Sequence, residues 1–128
     1  FKGPEEGRQA ARNMLDALRP GGRLVMDMIG KEVVARTLCE RDWKEEGRTL
    51  LLRERSLTEK FSRIENRWIV IDDSGRQELR FSQRLYSAVE LSSLLEDVGF
   101  VGIEMYGNLS FQPYDRNATR LVAIARKP

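Results

Sequence analysis

Apolar side chains recur at helical spacing through Ala10, Ala11, Met14, Leu15 and Leu18, which predicts an amphipathic helix from about Glu5 to Arg19. Pro4, Glu5 and Glu6 suit its first turn, because proline gives up no needed donor there and acidic groups meet the positive end of the helix dipole. Pro20, Gly21 and Gly22 end the helix, and Leu24, Val25, Met26, Met28 and Ile29 follow as a nearly continuous apolar run. So short a run also fits a buried helix, but the breaker before it favours a strand from Arg23 to Ile29, buried on both faces like a parallel strand inside an α/β sheet. Val33, Val34, Thr37 and Leu38 fit a short helix near Lys31 to Glu40, with Gly47 breaking the segment that follows.

From Arg48 to Tyr86 the helical period disappears, and extended stretches are expected around Thr49 to Leu57, Arg63 to Ile71 and Gln77 to Leu85. Ile64, Trp68 and Val70 share one face of the second stretch, opposite Arg63, Glu65 and Arg67. Leu79, Phe81 and Leu85 oppose Glu78, Arg80 and Arg84 in the third. An antiparallel meander with one packed and one solvated face follows, turned by Asp72, Asp73, Ser74 and Gly75. Ser87 to Glu90 reads as a capping box that starts a helix at Ala88, with Leu91, Leu94, Leu95 and Val98 as its buried stripe and Gly99 as its closing residue. Two further strands are expected at Ile103 to Gly107 and Thr119 to Ala125, separated by a loop holding Pro113 and two aromatics.

With 128 residues the chain is long enough for one well-buried core. Twenty-two basic and twenty acidic residues leave a formal net charge of +2, too small for the uniform field of a dedicated nucleic-acid binder. The chain has no histidine, which removes imidazole bases, Ser-His-Asp and Cys-His catalysis and most zinc sites. Carboxylates are present without a convincing ligand constellation, so no metal is expected. The single Cys39 allows no intrachain disulfide and is expected to pack. No apolar stretch reaches the roughly 20 residues that span a bilayer, no cationic leader precedes a secretory segment, and a cytoplasmic chain without membrane partners is the expectation.

The run Leu18-Arg19-Pro20-Gly21-Gly22-Arg23-Leu24-Val25 resembles the helix-to-strand turn of class I S-adenosylmethionine-dependent methyltransferases, where leucine, a basic residue and Pro-Gly-Gly precede the fifth strand. Phe1 to Glu6, Arg84-Leu85-Tyr86-Ser87, Glu90-Leu91 to Leu94-Leu95, Gly99-Phe100 and Arg120-Leu121-Val122-Ala123 appear in that family's order. The resemblance is strongest to its small-molecule methyltransferases with an antiparallel insertion before the last helix. It implies α/β class: a partial Rossmann-like methyltransferase sheet with an inserted antiparallel β-meander, as one domain over residues 1–128 with the insertion at about 48–86. The family grips its cofactor through a glycine-rich strand-to-helix turn and an acidic residue after the second strand. Neither motif is present, so the chain is similar to a C-terminal half, inactive alone, whose parent uses S-adenosylmethionine and a small-molecule methyl acceptor.

Asp27 interrupts the apolar run near its carboxyl end, the edge at which open α/β sheets hold ligands; a hydrogen-bonded strand-end carboxylate is the alternative. The resemblance places Phe1 in the loop after the family's fourth strand and turns Arg84 and Tyr86 toward the cleft, against an exposed arginine and a packing aromatic. Tyr106, Phe111 and Tyr114 suit a substrate mouth around the final loop, against ordinary packing. Phe1, Asp27, Arg84, Tyr86 and Tyr106 are thus the substrate-cleft candidates, with no catalytic or cofactor-binding residue assigned. Trp43 and Trp68 are expected to anchor packing. In methyl transfer from a sulfonium, positive charge leaves sulfur as the acceptor attacks in line, so positioning and desolvation carry much of the acceleration without a histidine base. A second reading stays open: a non-catalytic assembly module that forms a homodimer through the strand at Arg23 to Ile29, if that strand lacks a neighbour.

Overall fold

Leu91, Leu95, Leu121 and Ala123 are buried to 1% or less of their surface and mark the centre of the core. The computed structural model describes residues 4–128, so Phe1 lies outside the described residues. In chain order the elements are α1 (Pro4–Ala17), β1 (Arg23–Met28), α2 (Lys31–Thr37), β2 (Arg41–Glu46), β3 (Thr49–Thr58), β4 (Arg63–Asp72), β5 (Gly75–Arg84), α3 (Ala88–Val98), β6 (Val101–Tyr106) and β7 (Leu121–Arg126). They divide into two compact units, one combining the chain up to Thr37 with Tyr86–Pro128, the other Leu38–Leu85.

The first unit holds a three-stranded sheet in the order β1-β7-β6, antiparallel throughout. Met26 and Met105 both lie opposite Ala123, and Leu24 opposite Ala125, so these side chains share one face. That face packs on Leu91 and Leu95 of α3 and on Met14 and Leu15 of α1. The α3 boundaries come out as the capping box requires: Ser87 Oγ accepts the Glu90 N–H at 3.1 Å, Glu90 Oε1 accepts the Ser87 N–H at 3.1 Å, and Gly99 closes the helix at φ 115°. The Pro20-Gly21-Gly22 turn is structural. Gly21 sits at φ 79° and its N–H donates to the Lys127 carbonyl at 2.9 Å, while the Lys127 N–H returns to the Gly22 carbonyl at 2.8 Å.

Expectation and structure part at β1. The apolar run predicts a strand buried on both faces, but its residues alternate between exposed and half-buried, and Val25 is 59% exposed. It pairs with β7 alone, and antiparallel rather than parallel. Only the face carrying Leu24, Met26 and Met28 belongs to the core.

The second unit is an antiparallel sheet in the order β2-β3-β4-β5, and the Asp72 to Gly75 hairpin turn lies where the sequence places it. Four strands form rather than three. β2 takes over residues past the expected α2, which stops at Thr37; its sequence Arg-Asp-Trp-Lys-Glu-Glu has no apolar alternation because it is a solvent-facing edge. The expected division into a packed and a solvated face also fails. Leu79 is 50% exposed on the apolar face, whereas Arg63 is 7% exposed and donates from Nε to Ser82 Oγ at 2.9 Å. Trp68 does pack, edge to face against Phe81 with ring centroids 5.2 Å apart, but Trp43 is 65% exposed. Cys39 is exposed too, with its Sγ at 3.1 Å from the Arg41 carbonyl. No helix among the described residues is long and apolar enough to cross a membrane.

Candidate functional site

Since β1 and β6 both run antiparallel to β7, they are parallel to each other, and their carboxyl ends at Met28 and Tyr106 reach one edge of the sheet where β7 begins. The β1-to-α2 turn and the long loop of residues 107–120 leave from that same edge. In open α/β sheets this is the edge at which the chain can gather side chains around a ligand without interrupting the ladder.

Asp27 stands there as expected from sequence, one residue before the end of β1. Its Oδ1 accepts from Arg120 Nε at 2.9 Å, both side chains being more than a third exposed. Tyr106 ends β6 with its hydroxyl donating to Glu104, an interaction that raises its pKa above the usual phenol value, and its ring meets Phe111 edge to face at 5.2 Å. Phe111 holds a left-handed backbone, φ 61°, and with Leu109 it leaves a large part of its surface in water. A small cavity of about 170 Å³ opens in the same loop, with Gly107, Asn108, Gln112 and Asp115 among its walls.

A second group, unannounced by any sequence period, ties this edge together. Glu32 Oε1 accepts the Tyr114 hydroxyl at 2.9 Å and its Oε2 accepts the Ala88 N–H at 3.1 Å, so one carboxylate joins the start of α2, the start of α3 and the long loop. Burial, then the bond to Glu32, pushes the Tyr114 phenol well above its usual pKa, so Tyr114 stays protonated as the donor. Lys31 Nζ donates to Glu90 Oε1 at 2.6 Å, its N–H donates to the Tyr86 carbonyl at 2.8 Å, and the Arg36 guanidinium donates to the Arg116 and Ala118 carbonyls. These partners lie dozens of residues apart in the chain, beyond the reach of spacing arguments; the one local signal was Gly30, a glycine between strand and helix.

The remaining candidates lie elsewhere. Tyr86 is 7% exposed in the core cluster, its hydroxyl so near Gly7 that a β-carbon on that residue would fall 2.2 Å from it. Arg84 belongs to the second unit, half-buried at the end of β5 and directly opposite Arg63 on β4. On that sheet a furrow of about 620 Å³ crosses the row Arg41, Glu54, Arg67 and Arg80. Its charges largely compensate each other: Arg67 donates to Glu54 at 2.9 Å and to Glu78.

Gly30 also decides whether a nucleotide-sized cofactor fits this edge. A glycine between a strand and a helix can expose backbone donors to a phosphate or ribose. Here the Tyr114 hydroxyl fills the space, standing 2.1 Å from where a β-carbon at Gly30 would be, and the Gly21 and Gly22 N–H groups are spent on protein carbonyls. The turn at Gly30 therefore leaves no room for a phosphate or ribose against its backbone.

No protein-family model and no curated protein matches the sequence. Solved structures do match the fold. The CcbJ methyltransferase of Streptomyces caelestis superposes with a TM-score of 0.81 at 17% identity, over 98% of this chain and 55% of that one. An S-adenosylmethionine-dependent methyltransferase from Clostridium acetobutylicum gives 0.81 at 11% identity over 94% of this chain and 50% of that one. S-adenosylmethionine-bound CalS10, an amino pentose methyltransferase from Micromonospora echinaspora, gives 0.56 at 21% identity over the whole chain and 53% of its own length. The chain thus spans about half the length of the structures it matches. At these identities the likeness is one of fold, and it meets the expected α/β class with a partial methyltransferase sheet and an antiparallel meander.

Proposed function

We propose that this chain is the C-terminal, substrate-side portion of a methyltransferase that takes its methyl group from S-adenosylmethionine and gives it to a small molecule. The donor pocket belongs to polypeptide outside these 128 residues, residues 38–85 are the family's insertion, and the chain alone is inactive. The observation that carries the reading is the superposition of nearly this whole chain on about half of each methyltransferase neighbour, at TM-scores up to 0.81. The plugged turn at Gly30 supports the assignment of the donor pocket elsewhere.

In this reading the edge formed by β1, β6 and the 107–120 loop faces the acceptor. Asp27 and the Tyr106 hydroxyl offer hydrogen bonds to an acceptor hydroxyl or amine, and the Tyr106–Phe111 pair offers a flat apolar wall. Arg120 holds one Asp27 carboxylate oxygen in place, so the pair orients the acceptor. Aminosugars are the first acceptors to assay, given the amino pentose substrate of CalS10.

Titration calorimetry of this chain with S-adenosylmethionine is expected to give no heat of binding at micromolar concentrations; tight binding contradicts the assignment. The coding sequence upstream of Phe1 is expected to restore a strand followed by a glycine-rich turn, and the longer chain to methylate small acceptors. An upstream sequence without such a turn overturns the methyltransferase reading.

A further inference from the structure

The furrow of about 620 Å³ on the four-stranded sheet has the size of a small-molecule site. One wall is the row Arg41, Glu54, Arg67 and Arg80; the other is the row Ser56, Glu65 and Ser82. The two rows are two residues apart along each strand, about 7 Å. Toward β5 the furrow is closed on itself: Glu54 and Glu78 hold Arg67, Glu78 also holds Arg80, and Ser82 donates to Glu65 at 3.0 Å. Toward β2 it is not. The side chains of Glu40, Arg41 and Ser56 are exposed there and have no hydrogen-bond or ion-pair partner among the described residues. Trp43 stands beside Arg41 on the same face, two residues along β2, with 65% of its surface in water.

These open groups define the chemistry of an occupant. A guanidinium offers a fork of N–H donors, a carboxylate two acceptor oxygens, and a hydroxyl both kinds of bond. Three glutamates and four arginines line the furrow, so it carries no strong field of either sign. A phosphate would meet the carboxylates and a polyamine the guanidiniums, whereas a neutral ligand rich in hydroxyls satisfies both. Its vicinal hydroxyl pairs match the planar forks of Arg41 and Glu40, and the C–H face of a pyranose ring covers indole surface that otherwise meets water. From the Ser56 row to Trp43 is two steps of the same spacing, about 14 Å, the reach of two linked rings. We propose that the β2 end of this furrow binds a neutral saccharide, one ring between Glu40, Arg41 and Ser56 and the next on the face of Trp43.

Titration calorimetry of this chain with cellobiose and with maltose tests the site. At least one of them is expected to bind in the millimolar range. Trp43→Ala and Arg41→Ala change exposed side chains, are expected to stay folded by circular dichroism, and should each raise the dissociation constant about tenfold. Lys44→Ala is the control: its side chain lies on the opposite face of β2, paired with Glu46, and its loss is expected to leave the affinity unchanged. Iodide quenching gives an independent readout. The indole emission that iodide reaches in the free chain is expected to be protected by the saccharide and to be absent from Trp43→Ala. Phosphate and spermidine, compared at equal ionic strength, are expected not to displace the sugar. Failure of both sugars to bind, an affinity indifferent to Trp43→Ala and Arg41→Ala, displacement by either ion, or a Trp43 already shielded from iodide in the free chain would each overturn the proposal.

Discussion

Placing a methyl group on Gly30 tests how the edge at the carboxyl ends of β1 and β6 is held. The β-carbon of Gly30→Ala would lie 2.1 Å from the Tyr114 hydroxyl oxygen, 3.2 Å from its ring carbon Cζ and 3.1 Å from Leu121 Cβ. The first distance is impossible, so the phenol must leave, and with it goes the bond to Glu32. A hydrogen bond to a carboxylate at a half-exposed site contributes about 1 kcal/mol, and crowding a packed site costs about 1–3 kcal/mol more, so Gly30→Ala should lose about 2–4 kcal/mol. Tyr114→Phe removes the oxygen and its bond alone, for about 1 kcal/mol. When Gly30→Ala is combined with Tyr114→Phe, the alanine meets the ring carbon at 3.2 Å and Leu121 Cβ at 3.1 Å, contacts that ask the neighbours to give by a few tenths of an ångström, and should add about 1 kcal/mol, leaving a coupling of about 1–3 kcal/mol between the two changes. Urea unfolding can read this in the correct part of the molecule. All three helices belong to the first unit and both tryptophans to the second, so helical ellipticity reports the perturbed unit while tryptophan fluorescence serves as the internal control. Additive losses, or a fluorescence transition that moves while the ellipticity does not, would refute the contact between Gly30 and the Tyr114 hydroxyl.

Three further outcomes follow from the same geometry. Ser87→Ala removes the oxygen that caps α3 and should lower the ellipticity-monitored stability by about 1 kcal/mol, whereas Ser87→Asp should retain most of it. Burial raises the Glu90 pKa, but the bonds from Lys31 and Ser87 outweigh it and hold the carboxyl below its ordinary 4.5. Its contribution is therefore complete above that pH and is lost as pH falls through the depressed folded value; Lys31→Met should flatten this part of the acid-stability curve. Asp27→Asn breaks an exposed pair with Arg120 and should change stability by less than about 1 kcal/mol in the urea assay, so any larger loss of methyl transfer in a longer, active chain would reflect acceptor handling.

Local chemistry was legible in the sequence wherever it was self-contained. The α3 capping box, the Gly99 closure and the Asp72–Gly75 hairpin each depend on residues within a few positions of one another, and each stands as read. The place of Asp27 near the carboxyl end of β1 was legible because a carboxylate in an apolar run is locally anomalous. β2 was not, because an edge strand facing water on both sides needs no alternation, and Trp43 invited burial that its neighbours do not supply. The Glu32–Tyr114 bond was out of reach for another reason: only the β1-β7-β6 strand order brings residues that far apart in sequence to one edge.

The misreading of β1 has a different cause and carries the most information. Leu24, Val25, Met26, Met28 and Ile29 form a run suited to burial on both faces, yet Val25 is 59% exposed and Ile29 37%. An apolar pattern in excess of the burial a chain supplies argues for a covering layer elsewhere, as a longer methyltransferase would provide. Val25→Thr can decide the matter. In this chain the change exchanges one largely exposed methyl for a hydroxyl and should cost no more than about 0.5 kcal/mol. In a longer chain whose added strands and helices cover β1, the same hydroxyl must be buried, at about 1–3 kcal/mol if it finds no partner. Urea unfolding of both chains, each with and without the substitution, gives the comparison directly. Equal costs in the two would mean that the outer face of β1 meets water in the complete protein, and the case for a missing half built against this strand would fail.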